Sequence, residues 1–241
     1  MTVKPYNEQG ETKKGEVRQM FNTIAPKYDF LNHFLSLGID KRWRKKAIRT
    51  LSDLTDPQIL DVATGTGDMA IKIHQMLGCK VVGTDLSAGM LDIARSKVAK
   101  AGLDEYITLA EADSENLPFT DNQFSAVTVA FGVRNYENLD RGLSEMARVI
   151  KKHGRMVILE FSKPTSFPFK QLYMFYFKHI LPFFGGLISR DRKAYRYLPQ
   201  SVLAFPDGAD FEQHLITAGI EPIKRIKLTL GIATIYVGEK Q

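Results

Sequence analysis

Cysteine is nearly absent from the 241 residues: Cys79 stands alone, so no internal disulfide can form and a reducing, cytoplasmic compartment is the expectation. Histidine is scarce and scattered. His33, His74, His153, His179 and His214 show no ligand spacing, and with one cysteine they make no metal motif, so no metal is expected. No uninterrupted apolar run is long enough to span a bilayer. The greasiest stretch, Phe167 to Ile188, is broken by Pro168, Lys170, Lys178, His179, Pro182, Gly185 and Gly186. The opening from Met1 to Gly15 is polar and reads as a flexible tail with no secretory leader. Internal repeats and long low-complexity linkers are missing too. A chain of this length with 44% apolar content builds one sizeable core with an attached lobe, but no second full domain.

What is present begins with a local excess of charge. The net charge is +6, and Lys41, Arg42, Arg44, Lys45, Lys46 and Arg49 crowd around Trp43. No DNA- or RNA-binding motif accompanies them. Trp43, Ala47, Ile48 and Leu51 recur at helical spacing, which favours a solvated helix face. An anionic bilayer ranks second, at about 1 kcal/mol of attraction per nearby cation, and nucleic acid third.

The most specific local signal is Ile59-Leu60-Asp61-Val62-Ala63-Thr64-Gly65-Thr66-Gly67-Asp68, a buried strand running into two glycines and then a helical pattern. Glycine lets backbone approach a ligand and adopt angles that a Cβ blocks, so Gly65 and Gly67 mark a nucleotide-binding bend. Two ligands compete for it. Gly65, Gly67 and Ala70 fit G-x-G-x-x-A, with Asp85 twenty positions beyond Gly65, as in an NAD-dependent reductase. The alternative is S-adenosylmethionine, a cation with no pyrophosphate. Asp61 would repel a pyrophosphate but reach the methionine amine through the loop or a water. Asp85 offers two oxygens to the ribose hydroxyls, and Asp113 ends a third β-rich run, where the adenine amino group would lie. Three acids at three successive strand ends favour methyl transfer, although Asp after a strand is also an ordinary cap or turn residue.

Along the chain, residues 16–52 read as two helices, interrupted at Pro26 and broken at Gly38. From 58 to 161, β-rich runs (Ile59 to Val62, Lys80 to Thr84, Ile107 to Ala112, Ala126 to Phe131, Arg155 to Phe161) alternate with helical stretches. That alternation predicts an α/β fold, a parallel sheet with helices on both faces and its ligand at the strands' carboxyl ends. Residues 223–230 and 232–238 predict an antiparallel hairpin at one sheet edge. Phe167 to Ile188 reads as a lid lining a greasy cavity or touching lipid, with helices packed on their own core as the equal alternative. The boundaries are a tail (1–15), a helical cap (16–52), a cofactor-binding core (53–162), an apolar lid (163–200) and a C-terminal helix with a strand pair (201–241), all in one domain.

Three further segments carry a family resemblance: Phe21-Asn22-Thr23-Ile24-Ala25-Pro26-Lys27-Tyr28-Asp29-Phe30-Leu31-Asn32 continuing to Trp43-Arg44; Phe131-Gly132-Val133-Arg134-Asn135; and Arg148-Val149-Ile150-Lys151 leading to Leu159-Glu160-Phe161-Ser162. On these the chain resembles the ubiquinone/menaquinone biosynthesis C-methyltransferase family over nearly all of its length after Gly15. It departs at Lys152-His153-Gly154, where the family usually has Pro-Gly-Gly, at Leu31 and at Asp40, positions of turn geometry and packing. The resemblance implies a class I S-adenosylmethionine-dependent methyltransferase fold, with a Rossmann-like seven-stranded sheet whose last strand is antiparallel. It also implies C-methylation of a prenylated demethylquinol, leading to menaquinone, to ubiquinone, or to both. By the family pattern Thr64, Asp85, Asp113 and Ser114 contact the cofactor, and Leu86 and Ala130 complete the set.

A quinone carbon is too electron-poor to attack a sulfonium methyl, so the expected substrate is the quinol. Arg134 is the expected partner of its phenolate and Asn135 the orienting residue. For the proton the candidates are Tyr28, Asp29, His33 or an ordered water, with a water shared by Asp29 and Arg134 preferred. A structural salt bridge is the competing role for Arg134. The expected partners are the quinol and, transiently, the inner face of the cell membrane; nucleic acid is not expected, and a homodimer is compatible with the sequence.

Overall fold

The computed structural model describes residues 3–36, 38–176 and 192–241. Its centre is a seven-stranded sheet of order β3-β2-β1-β4-β5-β7-β6, comprising β1 (Ile59–Val62), β2 (Val81–Asp85), β3 (Ile107–Glu111), β4 (Phe124–Ala130), β5 (Ile150–Phe161), β6 (Ile220–Leu228) and β7 (Ala233–Lys240). The first five pair in parallel, and β7 runs antiparallel to both β5 and β6. The expected hairpin is therefore real, and its second arm lies inside the sheet with β6 at the edge.

Every residue of β1 is buried, as a strand covered on both faces requires. Ile59, Val81, Ala126 and Val157 point to a core shared with Trp43, Ala47 and Ile48, and their neighbours Leu60, Val127 and Met156 to one shared with Leu143, Met146 and Phe211. Helices α2 (Ile39–Ile48) and α3 (Asp68–Leu77) cover the first face; α5 (Leu139–Val149) and α8 (Ala209–Thr217) cover the second. The order reverses between β1 and β4. A cleft therefore opens beyond their carboxyl ends, where neighbouring connections leave in opposite directions.

Three expectations need correction. Pro26 does not interrupt the cap: α1 runs unbroken from Lys13 to Leu35 and packs along α4 (Ala88–Lys100). Buried Ile24 and Ala25 hold it there against the loss of one helical hydrogen bond. Residues 3–12 of the expected flexible tail fold back onto α1, where the buried Glu16 carboxylate accepts the N–H groups of Tyr6 (2.6 Å), Asn7 (2.9 Å) and Glu8 (2.7 Å). On α2, Lys41, Arg42, Lys45 and Lys46 do form a solvated face, but Arg44 turns inward to a buried ion pair with Asp40 and lies 5.5 Å from the Phe131 ring.

Two helices of the expected lid, α6 (Phe169–Phe175) and α7 (Arg192–Ala204), flank residues 177–191, which lie outside the described residues, as do the side chains of 31–35, including His33. The buried Tyr173 of α6 and Ala194, Tyr197 and Val202 of α7 join Val17, Met20, Ile24 and Met90 in a third apolar cluster. Part of the lid thus closes on the cap, which is the core-packing alternative.

Candidate active site

Four strand ends deliver one wall. The cleft takes in about 720 Å³ of space, part of it open solvent, lined by Ala63 and Gly65 after β1, Asp85 to Ser87 after β2, Ala112 to Glu115 after β3, and Ala130 to Gly132 with Asn135 after β4. Helix α1 supplies the facing wall through Lys14, Val17, Arg18, Phe21 and Tyr28. The backbone is bent sharply where the wall begins. Ala63 (φ 52) and Phe131 (φ 63) are both left-handed without being glycine, a costly conformation for side chains bearing a Cβ. Between them, a Cβ on Gly132 would lie 2.7 Å from that of Ala63. Glycine is therefore required for the two strand ends to approach, while Gly65 (φ 57) faces open space.

Asp85 bridges two turns of the wall. One carboxylate oxygen accepts the Gly65 N–H at 2.8 Å and the other the Ser87 N–H at 2.9 Å, which leaves each oxygen a lone pair for a ligand hydroxyl. Burial pushes its carboxyl above the usual range, against the pull of those N–H donors. Asp113 also lines the cavity and accepts Lys14 Nζ at 2.7 Å, tying α1 across the opening. Leu86, Ser114, Ala130, Asn135 and Tyr28 sit on the wall as well.

Asp61 does not. It is fully buried in β1 between Gly83 and Thr128, and its oxygens accept the hydroxyls of Thr64 and Thr128, each at 2.6 Å. Burial raises its carboxyl to about 6. Asp61 and Thr64 therefore shape the loop from behind, and Gly67 begins α3 against Ala94. Of the two expected routes from Asp61 to a ligand amine, the loop is the one with a visible link, through the Thr64 hydroxyl; Asp61 itself is not on the cavity wall.

Asp29 is likewise engaged elsewhere. It accepts the hydroxyl of Thr66 and, at 2.9 Å, Lys97 Nζ, which also pairs with Asp68. Arg134 sits instead in the 3-10 turn Val133–Asn135 after β4, where it forms a buried ion pair with Glu160 of β5 at 2.9 Å and donates to the Phe131 carbonyl. Its guanidinium lies 5.4 Å from the Phe161 ring. Asp29 and Arg134 are thus each held by partners of their own.

The salt-bridge alternative for Arg134 is thus present, yet it leaves donors over. Among the described residues Arg134 Nε has no hydrogen-bond partner, and neither does Oδ1 of Asn135, whose Nδ2 reaches the Phe131 carbonyl at 3.4 Å. Asn135 is on the cavity wall and Arg134 is its neighbour in the 3-10 turn; buried polar atoms left unpaired cost about 1–3 kcal/mol each, so their persistence beside the cavity points to a ligand that satisfies them.

Several contributors carried no local signal. Glu160 finds Arg134 only through β4–β5 pairing, and burial moves its carboxyl up against the pull of Arg134. Glu115 is buried and accepts the N–H groups of Glu137 (2.8 Å) and Asn138 (3.1 Å). Lys13 clasps α1 to the wall by donating to the carbonyls of Arg134 (3.1 Å) and Tyr136 (2.6 Å); burial, then the Arg134 charge, lowers its pKa to about 8. Asn22, like Glu160, lies within a segment that carries the family resemblance, and it accepts Ser87 Oγ at 2.6 Å and the Gly89 N–H at 3.1 Å, fastening α1 to α4.

The cavity's charge discriminates between the two ligands weighed above. Asp85, Asp113, Glu115 and Glu137 line it against Lys14 and Arg18, an acidic balance that suits a cationic nucleoside and opposes a pyrophosphate. Among the described residues no group of His, Cys, Asp and Glu is placed to hold a metal.

Comparison with known proteins agrees with this chemistry. A sequence model of the ubiE/COQ5 methyltransferase family matches residues 7–240. A demethylmenaquinone methyltransferase of Bacteroides fragilis is 49% identical over 239 residues, covering 99% of this chain and 97% of its own. The ubiquinone/menaquinone biosynthesis C-methyltransferase UbiE of Geobacter sulfurreducens is 48% identical over 232 residues, covering 95% and 90%. Among solved structures, an S-adenosylmethionine-dependent methyltransferase of Thermotoga maritima superposes with a TM-score of 0.67 at 17% identity, covering 93% of this chain and 99% of its own, which speaks for the fold alone.

Proposed function

The chain belongs to the ubiE/COQ5 methyltransferase family, and from that premise we propose that it transfers the methyl group of S-adenosylmethionine to a ring carbon of demethylmenaquinol, the last step to menaquinone. Membership of a methyltransferase family removes the NAD-dependent reductase. The observation that carries the substrate reading is the pair of unsatisfied atoms at the end of β4, one a donor and one an acceptor. A quinol hydroxyl both gives and takes a hydrogen bond, so it satisfies Asn135 Oδ1 and Arg134 Nε together. A quinone carbonyl only accepts, and would leave Asn135 Oδ1 unpaired.

The acidic wall fits the cofactor. Asp85 would take the ribose hydroxyls, Asp113 and Ser114 the adenine end, and Gly65 with Leu86 and Ala130 the close backbone contacts. When bound, S-adenosylmethionine supplies an electrophilic methyl on a sulfonium, which becomes a neutral thioether as the ring carbon's electron pair forms the new bond. Arg134 stabilises the phenolate oxygen that pushes this pair onto the ring, Asn135 fixes the hydroxyl's direction, and α1 with Tyr28 shuts out water. The hydroxyl's proton leaves as the phenolate forms and the ring carbon's proton leaves after the methyl arrives, both to water at the open side of the cavity; aromaticity is restored and the oxygen takes back one proton, so one proton is released per methyl transferred. Because Glu160 neutralises much of the guanidinium's charge, Arg134 acts here through directed donation more than through a long-range field.

The test is direct. Purified protein with labelled S-adenosylmethionine should methylate a reduced, prenylated demethylnaphthoquinol and leave the oxidised quinone untouched; no product from the quinol removes the reading. The relative named for both pathways favours a second substrate, the benzoquinol precursor of ubiquinone, and competition between the two quinols ranks them.

The long tail of such a substrate keeps it in a bilayer, since each buried methylene contributes about 0.8 kcal/mol. Among the described residues no helix is long and apolar enough to cross a membrane. Phe167 just before α6 (81% exposed) and Leu172 (62%) and Phe175 (60%) within it nevertheless expose large apolar side chains, and their contact with the cytoplasmic membrane face is part of the proposal. Wild-type protein should float with anionic liposomes at low salt and the Phe167→Ser, Leu172→Ser, Phe175→Ser triple variant should not; a wild type that stays in the aqueous layer excludes this contact.

A further inference from the structure

A third unsatisfied polar atom lies in the same region. Tyr197 of α7 is only 2% exposed, and among the described residues its hydroxyl has no hydrogen-bond partner. Its helix packs against the 3-10 turn that carries Arg134 and Asn135. The ring belongs to the apolar cluster that includes Val17 and Met90, with Phe21 and Tyr28 packed against it, and these four residues line the cavity. Phe161, which packs against that cluster, also carries the Arg134 guanidinium on its ring.

A tyrosine held in an apolar cluster for packing alone costs more than a phenylalanine, because its hydroxyl is desolvated with nothing in return. Buried tyrosines normally find a partner. The environment makes this hydroxyl a persistent donor: burial, with the nearby Arg134 and Glu160 charges acting in opposite senses, pushes its pKa up to about 12. It stays protonated at any pH the enzyme meets and acts as neither acid nor base.

We infer that Tyr197 is a substrate-binding residue whose hydroxyl bonds the second ring oxygen of the quinol, the one para to the oxygen held by Arg134 and Asn135. This rests on the quinol reading of the site and extends it. A 1,4-quinol carries two oxygens on opposite sides of one ring, and the 3-10 turn accounts for only one. A hydroxyl carried by α7, the helix that packs on that turn, completes the match. It also makes α7 part of substrate selection: a ring lacking the distal oxygen would leave Tyr197 as unsatisfied as it is in the free protein.

The test compares wild type with Tyr197→Phe on two substrates, a reduced prenylated 1,4-naphthoquinol and the corresponding 1-naphthol, which keeps the directing hydroxyl and lacks the distal one. On the diol, Tyr197→Phe should lower kcat/KM about tenfold, the size of one lost hydrogen bond to a bound ligand. On the monophenol the two proteins should be equal. The melting temperature should not fall, because the hydroxyl makes no bond in the free protein to lose, and affinity for S-adenosylhomocysteine should be unchanged. Equal activity of the two proteins on the diol, an equal loss on both substrates, or a lowered melting temperature overturns the inference while the methyltransferase reading stands. A wild type inert on both substrates overturns that reading and this inference with it.

Discussion

Replacing Arg134 with Ala is expected to damage the protein twice, and a second substitution separates the two injuries. Arg134 and Glu160 form a buried pair, with side chains 8% and 0% exposed. Removing one partner strands the other's charge in a medium that solvates it poorly, so Arg134→Ala should cost about 3–5 kcal/mol of stability. Turnover of the quinol should fall by about 10²–10³-fold, the usual consequence of losing a donor to a developing oxyanion. In the double variant Arg134→Met, Glu160→Gln no charge is left unpaired, and the glutamine oxygen still accepts the Phe161 N–H that Glu160 holds at 2.8 Å. Replacing a buried pair by neutral groups of similar size is often free of cost. The double variant should therefore recover most of the melting temperature and none of the turnover. If activity returns with stability, Arg134 is a structural bridge and the phenolate has another partner.

That experiment would be designed differently from the chain alone, and the reason shows what local pattern conveys. Arg134 stands out in Phe131-Gly132-Val133-Arg134-Asn135 because a polar pair follows an apolar strand, but its partner lies 26 residues on, in a strand where a lone acid among Leu159 and Phe161 has no visible mate. Register creates the pair, and register is not written in either segment. The same holds for Asp61. A carboxylate at a strand end beside a glycine bend reads as a ligand contact, whereas β4 places Thr128 directly opposite and turns the acid inward. Where a segment's own pattern decides its state, the reading holds: β1 spans Ile59–Val62, as its short apolar run bounded by the glycine turn requires. Where a neighbour decides, it does not. The first third of β5 carries exposed Lys151, Lys152 and His153, with no apolar alternation to mark a strand. Pro26 is a breaker by its own chemistry and is overruled by packing on α4. Tyr197 is one aromatic among many in a stretch whose composition says only that it is apolar.

Asp85 is the opposite case, since its spacing from the glycines announces it and the structure bonds it directly to the bend. Asp85→Ala is expected to weaken S-adenosylhomocysteine by about 10²–10⁴-fold, because two hydrogen bonds to a charged acceptor, at about 1.5–3 kcal/mol each, disappear together. The Gly65 and Ser87 N–H groups, both now held by its carboxylate, would also lose their acceptor, and the bend with them. Calorimetry on Asp61→Asn makes the contrast. Asp61 is no part of the cavity wall, and a neutral amide there removes a carboxylate whose ionisation burial opposes. Affinity in that variant should stay within a few-fold of wild type if the loop keeps its shape. The ranking of the two acids is therefore the measurement that matters: a loss at Asp61 as large as that at Asp85 would return Asp61 to the ligand, and an unaltered affinity in Asp85→Ala would mean that the nucleoside is held somewhere other than at the ends of β1 and β2.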